Sequence, residues 1–172
     1  MKLDPIPGKD EIQIKNQSQM KGQLVVKASE TEIGYKEYPE NSNKTKYGKW
    51  FGFDGVAWCA IFVSWCYDKA GTPLGNIGFA KGMAGCQTAV AHYTKTKQIT
   101  KTPTAGDIVF FDWNGDGRYD HTGIFVRQID AKTFETIEGN TSAANQSNGG
   151  EVQRRKREYK FALFVHPAVL DK

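Results

Sequence analysis

The 172-residue sequence predicts an α+β fold in which N-terminal helices pack against an antiparallel β-sheet. Apolar residues recur with helical spacing in the part of the chain before Pro103. Short β-branched and aromatic runs, separated by turn residues, occupy the part after it. Helices first and strands afterwards are typical of an α+β domain.

The first predicted helix runs from about Gln19 to Glu37, where apolar residues share one face and Pro39 then ends the pattern. Residues 1–18 contain two prolines and polar residues without periodicity, which predicts an extended arm or linker. The remaining residues, 19–172, are therefore predicted to form a single domain.

A central helix is predicted between Val56 and Gly71, because Cys59 and Cys66 belong to an i, i+3, i+4, i+7 apolar stripe. Apolar residues cover nearly all sides of this segment, so the helix should be buried. Gly71 stands where a helix-terminating glycine is expected. A further helix is predicted over residues 86–95, and strands over residues 107–113, 121–128, 133–139 and 159–165.

Cys59 falls in the first turn of the central helix, where the helix dipole stabilises a thiolate. His121 opens one predicted strand, and Glu138 and Asn140 close the next. Antiparallel neighbours bring the start of one strand beside the end of the other, so His121 and Glu138 should meet. These residue types form the nucleophile, base and orienting group of a catalytic triad.

Three cysteines are present, and their spacing fits neither a disulfide framework nor a paired CxxC zinc site. On one helix, Cys59 and Cys66 would lie roughly 10 Å apart along the axis. A disulfide requires Cα atoms within about 7 Å, so these two should not bridge.

Net charge is +4, and most of the excess falls within residues 151–160, which hold five basic and two acidic side chains. Such a run could attract an anionic partner, such as a wall polymer, a membrane surface or nucleic acid, or it could be the solvated edge of a hairpin. We do not expect nucleic acid as a partner. Membrane insertion is not expected either, since no run of about 18 apolar residues occurs.

A calcium loop is a second candidate site. Oxygen-bearing side chains stand at positions 1, 3, 5 and 9 of residues 112–120, with glycine at position 6, as in an EF-hand loop. The glutamate of position 12 is missing, since Gly123 stands there. The alternative is a turn between two strands, built from the same residues. The predicted ligands, for a structural Ca²⁺ that the chemistry does not require, are Asp112, Asn114, Asp116, Arg118 (through its carbonyl) and Asp120.

Five sequence blocks, in order, resemble the CHAP (cysteine, histidine-dependent amidohydrolase/peptidase) family over roughly residues 25–166. They are Tyr47-Gly-Lys-Trp-Phe-Gly, Trp58-Cys-Ala-Ile-Phe-Val-Ser-Trp-Cys, Pro103-Thr-Ala-Gly-Asp-Ile-Val-Phe-Phe, Asp120-His-Thr-Gly-Ile-Phe-Val and Ile137-Glu-Gly-Asn. The resemblance implies a papain-like fold and a peptidoglycan hydrolase, either an N-acetylmuramoyl-L-alanine amidase or a stem or cross-bridge endopeptidase.

Carried over by motif, Cys59 is the nucleophile, His121 the base and Glu138 the orienting acid, with Asn140 accessory. Tyr35 and Trp58 are predicted to bind substrate. Two other enzymatic interpretations stay open, an acyl transferase and a protein-directed cysteine protease. A non-enzymatic one is a calcium- or wall-binding module, although every residue type of the triad is present.

The resemblance also implies action in the bacterial cell wall or periplasm. The N-terminus lacks the apolar region of a Sec signal peptide, so delivery is expected through a phage holin, a secretion system or a larger protein. Expected partners are peptidoglycan and, for a delivered toxin, an immunity protein. We expect a monomer.

Overall fold

The computed structural model describes residues 4–172, which form four α-helices and one six-stranded antiparallel sheet, an α+β architecture. The strand order is β1-β6-β2-β3-β4-β5. The helices are α1 (Lys9–Glu30), α2 (Lys46–Phe51), α3 (Cys59–Lys69) and α4 (Cys86–Lys95). The strands are β1 (Ile99–Thr100), β2 (Ile108–Phe111), β3 (His121–Gln128), β4 (Thr133–Thr141), β5 (Glu151–Glu158) and β6 (Ala162–Val165). Short 3-10 helices cover Tyr159–Phe161 and Ala168–Asp171.

The first helix differs from its prediction at both ends. It begins at Lys9 and ends at Glu30, so most of the predicted arm is helical; the first three residues of that arm lie outside the described part. The missed part, residues 9–18, shows no apolar stripe because Ser18 is its one buried residue. A Cβ added to Gly22 would lie 2.1 Å from the Ala105 carbonyl oxygen, so only glycine allows this contact.

The middle of α1 contacts the C-terminal segment of the chain through Ser18. The Ser18 hydroxyl lies 3.2 Å from Nε2 of His166, and the other ring nitrogen of His166 lies 2.6 Å from Asp107. The Asp107 and Asp171 carboxylates stabilise the imidazolium against partial burial and raise the pKa of His166 to about 9. Ser18, in the predicted arm, therefore contacts the rest of the fold, whereas residues 9–17 of α1 are exposed.

Successive side chains of a strand point to opposite faces of the sheet, and both faces carry apolar residues. On β2, Ile108 and Phe110 join the main core with the helices, whereas Val109 and Phe111 join a second, largely aromatic cluster. α3 is the central helix; it packs against β3, β4, α1 and α2, and nearly all of its side chains are buried. Gly71 follows it with φ +76°, as predicted.

The basic run of residues 151–160 forms mainly β5, the edge strand beside β4. Arg154 is exposed and pairs with Glu135 and Glu30, as a solvated edge predicts. Arg157, in contrast, is buried. Among residues 4–172, no helix has both the length and the apolar character needed to cross a lipid bilayer.

Candidate active site

Cys59 is the first residue of α3, so its thiol lies where backbone N–H groups lack helical partners and the helix dipole is positive. Its sulfur is 3.9 Å from the sulfur of Cys86, which is the first residue of α4. The hydrogen bond from the Cys86 thiol lowers the pKa of Cys59 well below its usual range; burial opposes this, and His121 adds to it. Cys59 is therefore the thiolate of the pair.

His121 is the first residue of β3 and is fully buried. Its Nε2 lies 2.8 Å from Oε1 of Glu138, on the neighbouring strand β4. Nδ1 has no hydrogen-bond partner at normal distances among residues 4–172, yet Cys59 is near enough to influence the ring's charge. Since Glu138 occupies Nε2, Nδ1 is the nitrogen available to the thiol.

Two opposite effects set the charge of His121. Burial disfavours the imidazolium, whereas the interactions with Cys59 and Glu138 outweigh burial and raise the pKa of His121 to about 9. The lowered pKa of Cys59 and the raised pKa of His121 together favour a thiolate beside an imidazolium. This charge state is that of an activated cysteine nucleophile.

Glu138 remains ionised although it is fully buried. Burial opposes its charge, but hydrogen bonds from Arg157 and His121 lower the pKa of Glu138 to about 2. Arg157 donates to both carboxylate oxygens, from Nε at 2.7 Å and Nη2 at 2.5 Å, and Thr136 donates at 2.5 Å. The carboxylate is thus fixed on several sides.

Aromatic rings complete the support of this pair. The Arg157 guanidinium lies over the rings of Trp113 and Phe111, at 4.9 Å and 5.4 Å from their centroids. The same two rings stack near the imidazole of His121. Trp113 is itself held by a 2.8 Å hydrogen bond from Nε1 to Ser147.

Sequence reasoning missed Arg157 and Cys86 as members of the site. Arg157 is one of several basic residues in a row, and only its pairing position opposite Phe134 separates it from its exposed neighbours. Cys86 is brought to Cys59 by the packing of two helix starts, 27 positions apart in sequence, which no local pattern signals.

The structure brings Cys59, His121 and Glu138 together but places Asn140 differently from the prediction. Asn140, with φ +54°, hydrogen-bonds to Asn148 at 2.9 Å and accepts from the backbone N–H of Gly150 at 3.1 Å. Its side chain thus holds the loop between β4 and β5 rather than the imidazole. Its accessory catalytic role stays a prediction.

Trp58 is 0% exposed in this structure, and its predicted contact with substrate stays a prediction. It stacks on Tyr47 and donates from Nε1 to Glu37 at 3.0 Å. Tyr35 is half-buried, and its hydroxyl accepts from the backbone N–H of Lys46 at 2.9 Å. Both belong to an aromatic cluster that supports the start of α3, and the substrate contact of Tyr35 also stays a prediction.

The loop of residues 112–120 folds on itself. The two carboxylate oxygens of Asp112 accept from the backbone N–H groups of Gly115 and Gly117, at 2.8 Å and 2.9 Å. Asp116 accepts from Arg118 N–H at 2.8 Å. Within residues 4–172, no group of three or more His, Cys, Asp or Glu side chains is arranged to hold a metal ion. Calcium binding by the five predicted ligands stays a prediction.

The site is nearly closed: Cys59 is 5% exposed and Cys86 9%. A cavity of about 930 Å³ lies elsewhere, between α1 and the end of β3, and contains none of the triad residues. The chemistry inferred at Cys59 rests on the contacts and charges of the buried residues around it, and not on the size of this cavity.

A cysteine at the start of a buried central helix, facing a histidine on an antiparallel sheet, is the arrangement of papain-like proteins. A family model described as CHAP domain matches residues 50–140, more than half of the chain. The chain belongs to the CHAP family. This membership indicates a hydrolase of the peptidoglycan amidase or peptidase type. No curated protein and no solved structure gives a significant match.

Proposed function

We propose that this protein hydrolyses an amide bond of bacterial peptidoglycan, with Cys59 as nucleophile and His121 as acid and base. One observation carries the proposal: a cysteine at a helix N-terminus beside a buried histidine whose other ring nitrogen is held by a buried carboxylate, an arrangement that lowers the pKa of the thiol. Family membership supports the hydrolase class and the link to peptidoglycan.

The first half of the reaction forms a thioester. The Cys59 thiolate attacks the carbonyl carbon, and backbone N–H groups in the first turn of α3 stabilise the oxyanion. The C–N bond breaks as the imidazolium of His121 gives its proton to the leaving amine. The products of this half are a free amine, an acyl group on sulfur and a neutral imidazole.

The second half restores the enzyme. Neutral His121 takes a proton from a water molecule, whose oxygen attacks the thioester carbon. The C–S bond breaks, the thiolate of Cys59 returns, and the imidazolium forms again beside Glu138. Arg157 keeps Glu138 ionised throughout, so the carboxylate orients the ring and balances its charge without taking the proton.

The proposal is tested by digestion of purified peptidoglycan from several bacteria, followed by mass spectrometry of the released fragments. Wild type is compared with Cys59→Ala and with Cys66→Ala. Cys66 lies on the same helix, is fully buried, and burial raises its pKa well above the usual range, so it is an inert thiol. We expect release by wild type and Cys66→Ala, and none by Cys59→Ala.

The new ends identify the bond. A free lactyl carboxyl on muramic acid indicates an amidase, whereas a new α-amino group within the peptide indicates an endopeptidase. Equal release by Cys59→Ala would refute the mechanism. If folded wild type released nothing from any wall, the proposed substrate would be wrong, and the transferase, protease and binding-module interpretations would gain weight.

A further inference from the structure

The Cys86 thiol lowers the pKa of Cys59 but takes no bond-making or bond-breaking step in the hydrolytic cycle described above. The two sulfurs are 3.9 Å apart, and each belongs to the first residue of its helix. Cys66, the third cysteine, is also buried but makes no comparable sulfur contact within residues 4–172. Among the cysteines of residues 4–172, Cys59 and Cys86 are therefore the two whose sulfurs are in contact.

We propose that Cys59 and Cys86 form a site of reversible disulfide formation, in which Cys86 is the resolving thiol for the oxidised nucleophile. A disulfide has a sulfur–sulfur distance of about 2.05 Å, so closure requires the sulfurs to approach by roughly 2 Å. Both side chains are at helix starts and both are free. Rotation about their Cα–Cβ bonds moves the sulfurs without breaking a helical hydrogen bond.

The charge states of the pair suit this chemistry. The nucleophile of thiol oxidation is the thiolate, and a neighbouring thiol that resolves the oxidised product is typical of redox-sensitive cysteines. Cys59 has the lowered pKa of the pair. The pKa of Cys86 is raised, first by its hydrogen bond to Cys59 and then by burial, so Cys86 stays protonated.

The oxidant is a peroxide. The Cys59 thiolate attacks one oxygen of hydrogen peroxide, which yields Cys59 sulfenic acid and hydroxide, and the hydroxide becomes water on protonation. Once Cys59 is a sulfenic acid, the thiolate that helped to raise the pKa of Cys86 is gone. Cys86 then gives up its proton as its sulfur attacks the sulfenic sulfur, the S–O bond breaks, and the leaving hydroxide takes that proton to become the second water. In total, two thiols and one peroxide give one disulfide and two waters.

The disulfide removes the nucleophile, so the oxidised protein cannot form the thioester; this consequence rests on the proposed function. Reduction by a dithiol proceeds by two exchange steps and restores both thiols. Because Cys86 captures the sulfenic acid, it also prevents further oxidation of Cys59 to the irreversible sulfinic acid.

Peptide mapping tests the cross-link without any activity measurement. Trypsin places Cys59 and Cys66 on one peptide, residues 50–69, and Cys86 on another, residues 82–95. The Cys66→Ala variant therefore leaves one cysteine in each peptide. After brief peroxide treatment of this variant, we expect the two peptides joined by one disulfide, and two free peptides after reduction.

Cys86→Ser provides the matched control, since serine keeps a hydrogen-bond donor but cannot resolve a sulfenic acid. In this variant peroxide should convert Cys59 to sulfinic acid. Peroxide should lower wild-type peptidoglycan hydrolysis by about tenfold or more, with recovery to within about twofold on reduction, and Cys86→Ser should not recover. Sulfinic acid on Cys59 in the Cys66→Ala protein, without a cross-link, would overturn the inference even if hydrolysis is confirmed.

Discussion

Arg157 is the cation that keeps the orienting carboxylate charged, and its replacement tests this support without touching the nucleophile or base. In Arg157→Gln, Glu138 loses donors at 2.7 Å and 2.5 Å while it stays fully buried. Removal of one partner of a buried ion pair costs about 3–5 kcal/mol. For a chain of this size, that corresponds to a loss of about 6–20 °C in Tm.

The same substitution should alter the titration of His121. Arg157 places a positive charge beside Glu138, which disfavours the nearby imidazolium. Its removal should raise the pKa of His121 above its present value of about 9, as long as Glu138 remains ionised. Arg157→Lys keeps the charge but not the two-point contact, so its loss of stability should be intermediate.

The assay combines urea unfolding with NMR titration of the His121 ring. Arg154→Gln is the control, because Arg154 is on the same strand but forms exposed pairs with Glu135 and Glu30. Such pairs contribute about 0–1 kcal/mol. The reasoning is refuted if Arg157→Gln loses no more stability than Arg154→Gln and the pKa of His121 does not move.

Further predictions concern pH, packing and calcium. Because the pKa of His121 is raised from 6.5 to about 9, the contribution of His121 to stability is complete below pH 6.5 and disappears as pH rises through about 9. The rate of hydrolysis should fall over the same pH range. Stability and rate profiles that stay flat up to pH 10 would contradict these two predictions. Gly139→Ala places a Cβ within 2.6 Å of Phe62 and 2.9 Å of Trp58, so it should destabilise the protein by about 1–3 kcal/mol in urea unfolding, and a neutral result would contradict the close packing of β4 on α3. If residues 112–120 bind Ca²⁺, calorimetry should detect heat that Asp112→Ala abolishes; no heat with millimolar Ca²⁺ would end that prediction.

The sequence allowed the fold class and the positions of Cys59, His121 and Glu138 to be predicted, because strand periodicity and antiparallel pairing are local rules. β3 has the predicted bounds, and α3 ends where Gly71 predicted. Both elements have strong apolar patterns, so the sequence alone is enough to predict where each of them lies.

Other features depend on contacts between distant segments. The start of α1 is exposed, so no apolar stripe marks it, and the close approach of α1 to Ala105 at Gly22 has no hydrophobic pattern to reveal it. Arg157 is distinguished from Arg154 only by its position across from Phe134 on β4. Trp58 packs on Tyr47 and is fully buried, and the direction in which an aromatic ring packs depends on such distant contacts.

The most direct test of the central claim is to trap the acyl group on Cys59. A soluble muropeptide is mixed with the protein, the reaction is quenched with acid during turnover, and the intact and digested protein are weighed by mass spectrometry. We predict an acyl adduct on residues 50–69 that is located at Cys59, is absent in Cys59→Ala and persists in Cys66→Ala. Turnover of the muropeptide by Cys59→Ala, with no adduct on wild type, would contradict covalent catalysis by this thiol.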